Sequence, residues 1–325
     1  AGCSSVALAT GTCTIVNTLN TAGFTVAKDF SDDSPAGVAV ALTCTSGTVA
    51  PATATASEAT PASFTVSGFS GTPTCTATET VPPGYTANQA GCSAVALAAG
   101  TCTITNTRNA GSFTVLKDFN DGNPSAVTVS LACTSGTVSP ASAPASESTP
   151  AVFAVTGFSG MPTCTATETG VPAGYAANEA GCAGVALSAG NCTIVNSALP
   201  GTITIVERTV PSPDTSGTSF AFTAGGGLVP TNFVLRDGES QVFAGVAPGT
   251  YSVMQSPPPG WRVTGASCSD GSSPDSIELG PGEAITCTFT TSRDIVPVPV
   301  LSWPACLALL ASLLLAVYLR LRRVH

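Results

Sequence analysis

The chain has 325 residues, only 9% of them charged, and its formal net charge at pH 7 is -9. This acidic balance argues against nucleic-acid binding, which requires a basic surface. The single histidine is the last residue and the sequence has no Cys-x-x-Cys spacing, so we predict no metal site and no cofactor. Thirteen cysteines indicate instead an oxidising compartment.

Short Thr- and Val-rich segments, separated by Gly, Pro and Ser, follow one another along most of the chain. This pattern predicts strands joined by turns, and no amphipathic helical pattern precedes residue 300. We therefore predict an all-β protein of tandem immunoglobulin-like β-sandwich domains, followed by one C-terminal transmembrane helix.

The cysteine spacing reveals a repeat. Each of the first four cysteines recurs 89 residues later: Cys3, Cys13, Cys44 and Cys75 become Cys92, Cys102, Cys133 and Cys164. A period of this length suits tandem domains better than solenoid units. In chain order we predict a remnant hairpin of a preceding repeat (1–20), repeat 1 (21–108), repeat 2 (109–198), a diverged repeat 3 (199–294) and a tail (295–325). The opening residues predict a fragment or processed form of a longer array.

The only two lysines, Lys28 and Lys117, occupy equivalent positions in repeats 1 and 2. Alternate residues of a strand share one face, so Lys28 falls on the face of Phe24, Val26 and Phe30. A lysine on an apolar face must be paired or must lose its charge. The sequence therefore predicts a buried amine in each of these repeats.

The diverged third repeat constrains the disulfides, because Cys268 and Cys287 are its only cysteines and must pair with each other or stay free. The positions equivalent to this pair in the other copies predict three bridges: Cys3–Cys13, Cys92–Cys102 and Cys182–Cys192. The cysteines that remain within each repeat then predict two more, Cys44–Cys75 and Cys133–Cys164. Other pairings remain compatible with the sequence.

The tail differs in character from the repeats. IVPVPV at 295–300 predicts an extended spacer, and the following LSWPACLALLASLLLAVYL carries no charge over 19 residues, about the length that spans a bilayer. Three arginines close the chain: Arg320, Arg322 and Arg323. We expect this basic end in the cytoplasm and the acidic repeats outside. The layout resembles a bacterial C-terminal sorting signal of the I/V-P-T-L-S-x-W-G type, although Pro304 replaces the Gly and the Thr is missing.

The body also resembles a known group. CTATETVPPGY and CTATETGVPAGY are similar to the E-x-x-x-P-x-G-Y segment of prealbumin-like, or Cna B-type, bacterial surface domains, and repeat 3 carries related text in GTITIVERT, VAPGTYSVMQSPPPGW and CTFTTS. The resemblance covers nearly all of residues 21–293. It implies a seven-stranded sandwich that serves as a spacer or stalk, in which a first-strand Lys bonds to a last-strand Asn with help from an acidic residue.

The residues for that isopeptide bond fall on predicted core faces in two copies: Lys28, Glu79 and Asn106, then Lys117, Glu168 and Asn196. Burial would free the amine as a nucleophile, and a protonated Glu would polarise the carboxamide and shuttle protons as ammonia leaves. The alternative is a buried Lys–Glu pair, hydrogen-bonded to Asn, that does not react. Repeat 3 has Glu207, Gln255 and Thr291 at these positions. Without an amine we expect hydrogen bonds only.

Together these features predict a bacterial cell-surface stalk or adhesin-type protein, not an enzyme, held in the envelope by its tail. The expected partners are the membrane and a sorting peptidase. The competing function is a surface module that binds an extracellular glycan or a host protein.

Overall fold

The computed structural model of the protein describes residues 3, 9, 12–294 and 303–321. The chain divides into two compact units, Ala1–Ala198 and Leu199–His325. The first unit contains repeats 1 and 2, and the second contains repeat 3 and a C-terminal helix. The described part of residues 1–20 has no strand, and most of the predicted hairpin lies outside the described residues.

Repeat 1 is a sandwich of two sheets. Its strands are β1 Thr21–Phe30, β2 Val38–Cys44, β3 Thr48–Ala50, β4 Thr53–Ala56, β5 Ala62–Ser67, β6 Thr74–Glu79, β7 Tyr85–Asn88, β8 Val95–Ala96 and β9 Thr101–Arg108. One sheet has the order β3-β5-β1-β9-β7 and the other β4-β2-β6-β8. The central strand β1 runs antiparallel to β5 and parallel to β9. First and last strands are therefore direct neighbours.

The core of repeat 1 lies between the two sheets, as expected for aligned sandwiches. Alternating residues of β1 and β5 face inward, among them Phe24, Val26 and Phe64, and they pack against Val40 and Leu42 of β2. The residues between them along each strand face away from this core. This alternation decides which polar side chains are buried as well.

Repeat 2 copies this arrangement. Its strands are β10 Ala110–Phe119, β11 Val127–Cys133, β12 Thr137–Ser139, β13 Ser142–Ala145, β14 Ala151–Thr156, β15 Thr163–Thr169, β16 Tyr175–Asn178, β17 Val185–Ala186 and β18 Asn191–Ala198. The sheet orders are β12-β14-β10-β18-β16 and β13-β11-β15-β17. Short 3₁₀ turns precede the last strand of both repeats, at Ala90–Cys92, Leu97–Ala99, Ala180–Cys182 and Leu187–Ala189.

Repeat 3 has its own core and two four-stranded sheets. Its strands are β19 Gly201–Val210, β20 Phe220–Gly225, β21 Asn232–Leu235, β22 Ser240–Val246, β23 Gly249–Ser256, β24 Trp261–Cys268, β25 Ile277–Leu279 and β26 Ala284–Arg293. The sheet orders are β22-β19-β26-β24 and β21-β20-β23-β25. The implied count of seven strands is too low for all three repeats, because short strands such as Val95–Ala96 extend the sheet edges.

Six disulfides join the cysteines in the predicted pairs: Cys3–Cys13, Cys44–Cys75, Cys92–Cys102, Cys133–Cys164, Cys182–Cys192 and Cys268–Cys287. Three of them join residues that lie opposite each other on paired strands: Cys44–Cys75, Cys133–Cys164 and Cys268–Cys287. Each bridge contributes about 2–4 kcal/mol, chiefly by restricting the unfolded chain. None of these six disulfides joins two different repeats, so the disulfides stabilise each repeat independently.

The tail contains one helix, α1, at Trp303–Leu321. In the part of the chain that the structure describes, no helix is both long enough and apolar enough for a membrane crossing. The predicted transmembrane helix therefore has no support from the structure. The predicted spacer, most of the sorting-type motif, and Arg322 and Arg323 lie outside the described residues.

Candidate functional site

Repeats 1 and 2 each hold a lysine inside the core. Lys28 is 4% exposed and Lys117 is 5% exposed, as the alternation along β1 and β10 predicts. Each ammonium nitrogen lies over the ring of the phenylalanine two residues further along, with Nζ to centroid distances of 4.4 Å for Phe30 and 4.1 Å for Phe119. Such cation–π contacts stabilise a cation that has lost water.

A buried glutamate faces each lysine from the other sheet. Lys28 Nζ lies 3.6 Å from Glu79 Oε2, and Lys117 Nζ lies 3.7 Å from Glu168 Oε2, with the side chains of both pairs fully buried. Lys28 Nζ also donates to the carbonyl oxygen of Ile104 at 3.0 Å, because β9 is the parallel neighbour of β1. The amine is thus held between the first strand, the last strand and an acid.

Burial lowers the pKa of Lys28 and of Lys117, and the facing carboxylates, Glu79 and Glu168 respectively, oppose this shift in part. Desolvation has the larger effect, because it penalises the charged form of the amine. Each lysine therefore releases its proton more readily than a surface lysine does. The neutral amine that results is the nucleophilic form.

The predicted asparagines complete both groups. Asn106 and Asn196 are fully buried, and each lies level with the phenylalanine two residues beyond the lysine, in the register of the parallel strands. In repeat 2, Asn196 Nδ2 donates to Glu168 Oε1 at 2.6 Å. In repeat 1, the carboxyl oxygens of Glu79 and the amide atoms of Asn106 have no hydrogen-bond partner among the described residues. We call these two groups the Lys–Glu–Asn trios.

One further carboxylate per repeat lies near the trio position and was not predicted from the sequence. Glu58 accepts a hydrogen bond from the backbone N–H of Phe30, and Glu147 accepts the equivalent bond from Phe119. In repeat 3, Asp237 Oδ1 accepts from the N–H of Thr209 at 2.8 Å. These acids fix the end of the first strand beside the lysine position. Their signal is the recurring text ASEATP and ASESTP, which places Glu58 and Glu147 at equivalent positions.

Repeat 3 places different residues in the same arrangement. Glu207 on β19 lies level with Phe289 on the parallel strand β26, and Thr291 follows two residues later. Gln255 Nε2 donates to Glu207 Oε2 at 2.6 Å and to Thr291 Oγ1 at 2.9 Å. Burial raises the pKa of Glu207 to about 7, and its hydrogen bonds to Thr291 and Gln255 work against this rise. We call this group the Glu–Gln–Thr trio.

Comparison with known protein families identifies the fold of the third repeat. A family model of the prealbumin-like fold domain, SpaA_4, matches residues 203–293. The third repeat is therefore a prealbumin-like domain, which confirms the resemblance found in the sequence. Repeats 1 and 2 share its two sheets, its parallel pairing of first and last strands and its inward trio of polar residues.

Three solved structures illustrate the likeness. The Bacillus anthracis TIE protein aligns at 16% identity and a TM-score of 0.46 over 84% of this chain and 51% of that one, so the match spans about half of its length. Two B repeat units of the collagen-binding protein Cna of Staphylococcus aureus align at 16% identity and a TM-score of 0.25, over 84% of this chain and 75% of that one. The major pilin protein T-13 of Streptococcus pyogenes aligns at 12% identity and a TM-score of 0.27, over 57% of this chain and 97% of that one. No curated protein sequence matches.

Proposed function

We propose that this chain is an extracellular structural stalk of a bacterial surface, and that repeats 1 and 2 are each closed by an intramolecular isopeptide bond. The bonds join Lys28 to Asn106 and Lys117 to Asn196, and Glu79 and Glu168 carry the protons. The role is mechanical, so no substrate is turned over.

The observation that carries this proposal is the location of the buried polar atoms that lack a hydrogen-bond partner. Among the described residues, every buried side-chain nitrogen or oxygen without a hydrogen-bond partner belongs to one of the three trios: atoms of Glu79, Asn106, Glu168, Asn196 and Glu207. Buried polar groups are nearly always paired, and an unpaired one costs about 1–3 kcal/mol. Such a concentration is typical of groups arranged for a reaction. An isopeptide bond would remove the amide nitrogen and the free amine together.

The reaction balances within each trio. The neutral Lys Nζ attacks Cγ of the asparagine, a new Nζ–Cγ bond forms and the Cγ–Nδ2 bond breaks. The glutamate takes a proton from the attacking nitrogen and gives it to the leaving nitrogen, which departs as ammonia. Each completed bond therefore lowers the mass of the chain by one ammonia.

The position of the bond fits a load-bearing element. A stalk under tension is pulled at the start of its first strand and at the end of its last strand, and in repeat 1 these strands are the parallel neighbours β1 and β9. A Lys28–Asn106 bond would join these two strands covalently. Most of the chain between residue 28 and residue 106 would then carry no load.

Contacts between repeats 1 and 2 also support a stalk. Gly84 of repeat 1 donates its backbone N–H to Ser159 Oγ of repeat 2 at 2.8 Å, and its carbonyl oxygen accepts from Asn109 N at 2.9 Å. Thr86 Oγ1 of repeat 1 also donates to Asn109 Oδ1 at 2.7 Å. Hydrogen bonds of this kind across the boundary restrict bending between the two repeats.

The proposal extends to attachment in the cell envelope through residues 295–325. Support comes from the uncharged run that starts at Leu301, the arginines that follow it and the resemblance to a sorting signal. The disulfides of the repeats fit an oxidising, extracytoplasmic location. Either the membrane or a sorting peptidase would be the partner of the tail.

Tryptic mapping of the reduced full-length protein tests the bonds. A lysine bonded through Nζ is not cleaved, so Lys28 should stay within a peptide that ends at Arg108 and lacks one ammonia. Lys117 should behave likewise in a peptide that ends at Arg208. Cleavage after both lysines, with unmodified asparagines, would refute the proposal.

A further inference from the structure

Repeat 3 lacks an edge strand that repeats 1 and 2 both have. In repeat 1, β3 pairs with the outer side of β5, and in repeat 2, β12 pairs with β14 in the same way. Strand β22 takes the place of β5, since each is the antiparallel neighbour of the first strand of its repeat. Among the described residues β22 pairs with β19 alone, so its outer edge is open. Proteins usually cover or charge such an edge, yet residues 240–247 carry no charge.

The sequence explains why repeat 3 lacks this strand. Pro230 of GGGLVPT aligns with Pro51 of TSGTVAPA, so Gly227 replaces Thr48, the first residue of β3. Gly227 adopts a φ of +93°, a conformation that threonine avoids, and glycine also has a poor strand propensity. The three residues from Gly227 onward accordingly form no strand, and the third of them, Val229, is 80% exposed.

A groove lies where the missing strand would be. It has a volume of about 340 Å³ and is lined by residues 226–229, residues 242–247 and Tyr251, most of them glycine, alanine or valine. Val246 in this groove is half-buried, whereas the equivalent Val66 of repeat 1, which lies beside β3, is fully buried. We call this space the β22 groove.

Backbone groups of β22 point into the open side. Glu207 donates its N–H to Glu239 O at 3.2 Å, so the backbone of Glu239 and of every second residue after it faces β19. The backbone groups of Ser240, Val242 and Ala244 therefore face outward. Among the described residues one of these groups has a partner, the Val242 carbonyl, which accepts from a neighbouring glutamine side chain at 3.0 Å. The other groups are free to pair with an added strand.

We propose that the β22 groove binds an extended peptide segment of a partner protein, which adds to the open edge of β22 as an antiparallel strand. The segments that cover this edge in repeats 1 and 2, Gly-Thr-Val-Ala-Pro and Gly-Thr-Val-Ser-Pro, define the chemistry of the ligand. It is uncharged and has small or short side chains on both sides of a valine. Backbone hydrogen bonds hold it, and a charged side chain would lose water in a groove that offers no opposite charge. The proposal does not depend on the isopeptide bonds.

Repeat 1 shows which side of such a peptide would bind. Gly68 donates its N–H to Asn20 O at 2.9 Å on the β1 side, so the odd-numbered residues of β5 turn their backbone groups toward β3. Ala50 lies level with one of these residues, Thr65, whereas Val49 lies between two of them. The N–H of Ala50 therefore faces the covered strand, and the N–H of Val49 faces away from it.

Fluorescence anisotropy of a labelled peptide with the sequence of residues 46–52, SGTVAPA, tests the proposal on the full-length protein. We expect saturable binding. N-methylation at the alanine that corresponds to Ala50 should weaken binding about tenfold or more, because it removes a backbone donor that faces β22. N-methylation at the valine that corresponds to Val49 should leave binding unchanged. No saturable binding of the unmodified peptide, or equal binding of the two methylated peptides, would overturn the proposal.

Two variants locate the site on repeat 3. Ala244→Pro removes an outward N–H at a position where a sheet edge tolerates proline, and it should weaken binding of the unmodified peptide about tenfold or more. Ala244→Thr introduces the residue that repeat 1 has at the equivalent position, Thr65, keeps the N–H and should bind like the wild type. An intact Cys268–Cys287 disulfide and cooperative unfolding would show that each variant is folded. Equal binding by the two folded variants would overturn the assignment to β22. Self-association of the wild type that Ala244→Pro abolishes, without peptide binding, would assign the edge to a second copy and overturn it as well.

Discussion

Replacing Glu168 by Gln separates the chemistry of repeat 2 from its packing. Gln is nearly isosteric with Glu and keeps an oxygen that can accept from Asn196 Nδ2, which now bonds to Glu168 Oε1 at 2.6 Å. It cannot take the proton of Lys117, so the isopeptide bond should not form. The lysine would stay buried as a neutral amine, a form that burial already favours by lowering its pKa. Repeat 1 serves as the matched internal control.

The loss of stability follows from the loop that the bond closes. Lys117 and Asn196 are 79 residues apart. The Cys133–Cys164 and Cys182–Cys192 disulfides already shorten this loop to about half its length, for which the chain-entropy relation gives about 4 kcal/mol. For a domain of this size we expect the melting temperature of repeat 2 to fall by about 15–30 °C.

Differential scanning calorimetry without reductant measures this shift, and tryptic cleavage after Lys117 reports the missing bond. The melting temperature of repeat 1, whose residues are unchanged, should fall much less. Two results would refute the reasoning: a Glu168→Gln protein that still resists cleavage at Lys117, or an unlinked variant that melts at the wild-type temperature.

Three further predictions concern other parts of the chain. Non-reducing peptide mapping should link Cys44 to Cys75, Cys133 to Cys164 and Cys268 to Cys287, and a bridge between two repeats would contradict their independence. Deletion of residues 301–325 should release the protein in soluble form, whereas a truncated protein that stays with membranes would contradict attachment by the tail. Since the folded-state pKa of Glu207, about 7, lies above its ordinary value, the stabilising effect of its protonation is complete below about pH 4.5 and is lost as the pH rises through 7. Chemical denaturation of repeat 3 should therefore show a decline on the order of 3 kcal/mol over this window, and Glu207→Gln should flatten it; a pH slope that the substitution leaves unchanged would assign the decline to other groups.

The period-two alternation of strands made the buried polar residues predictable. Lys28 shares its face with Phe24 and Val26, and the same rule places Asn106 on the face of Ile104, so the sequence alone assigns both polar residues to the core. The recurrence of cysteines at one spacing made the disulfide pairs predictable in the same way.

Contacts that depend on which strands are neighbours cannot be predicted from the sequence pattern. The parallel register that puts Phe30 level with Asn106 follows from the sheet order, which no local pattern specifies. The contact of Thr291 with Gln255 depends on how two sheets face each other. Two-residue strands such as Val95–Ala96 are too short to show any period, so the strand count was underestimated.

A crystal structure that resolves the repeat 2 trio tests the central claim most directly. We expect continuous electron density between Lys117 Nζ and Asn196 Cγ at about 1.3 Å, the length of an amide C–N bond, with no density for Nδ2. A separate amide nitrogen hydrogen-bonded to Glu168, with Lys117 Nζ more than about 2.7 Å from it, would show an unreacted ion pair and contradict the account.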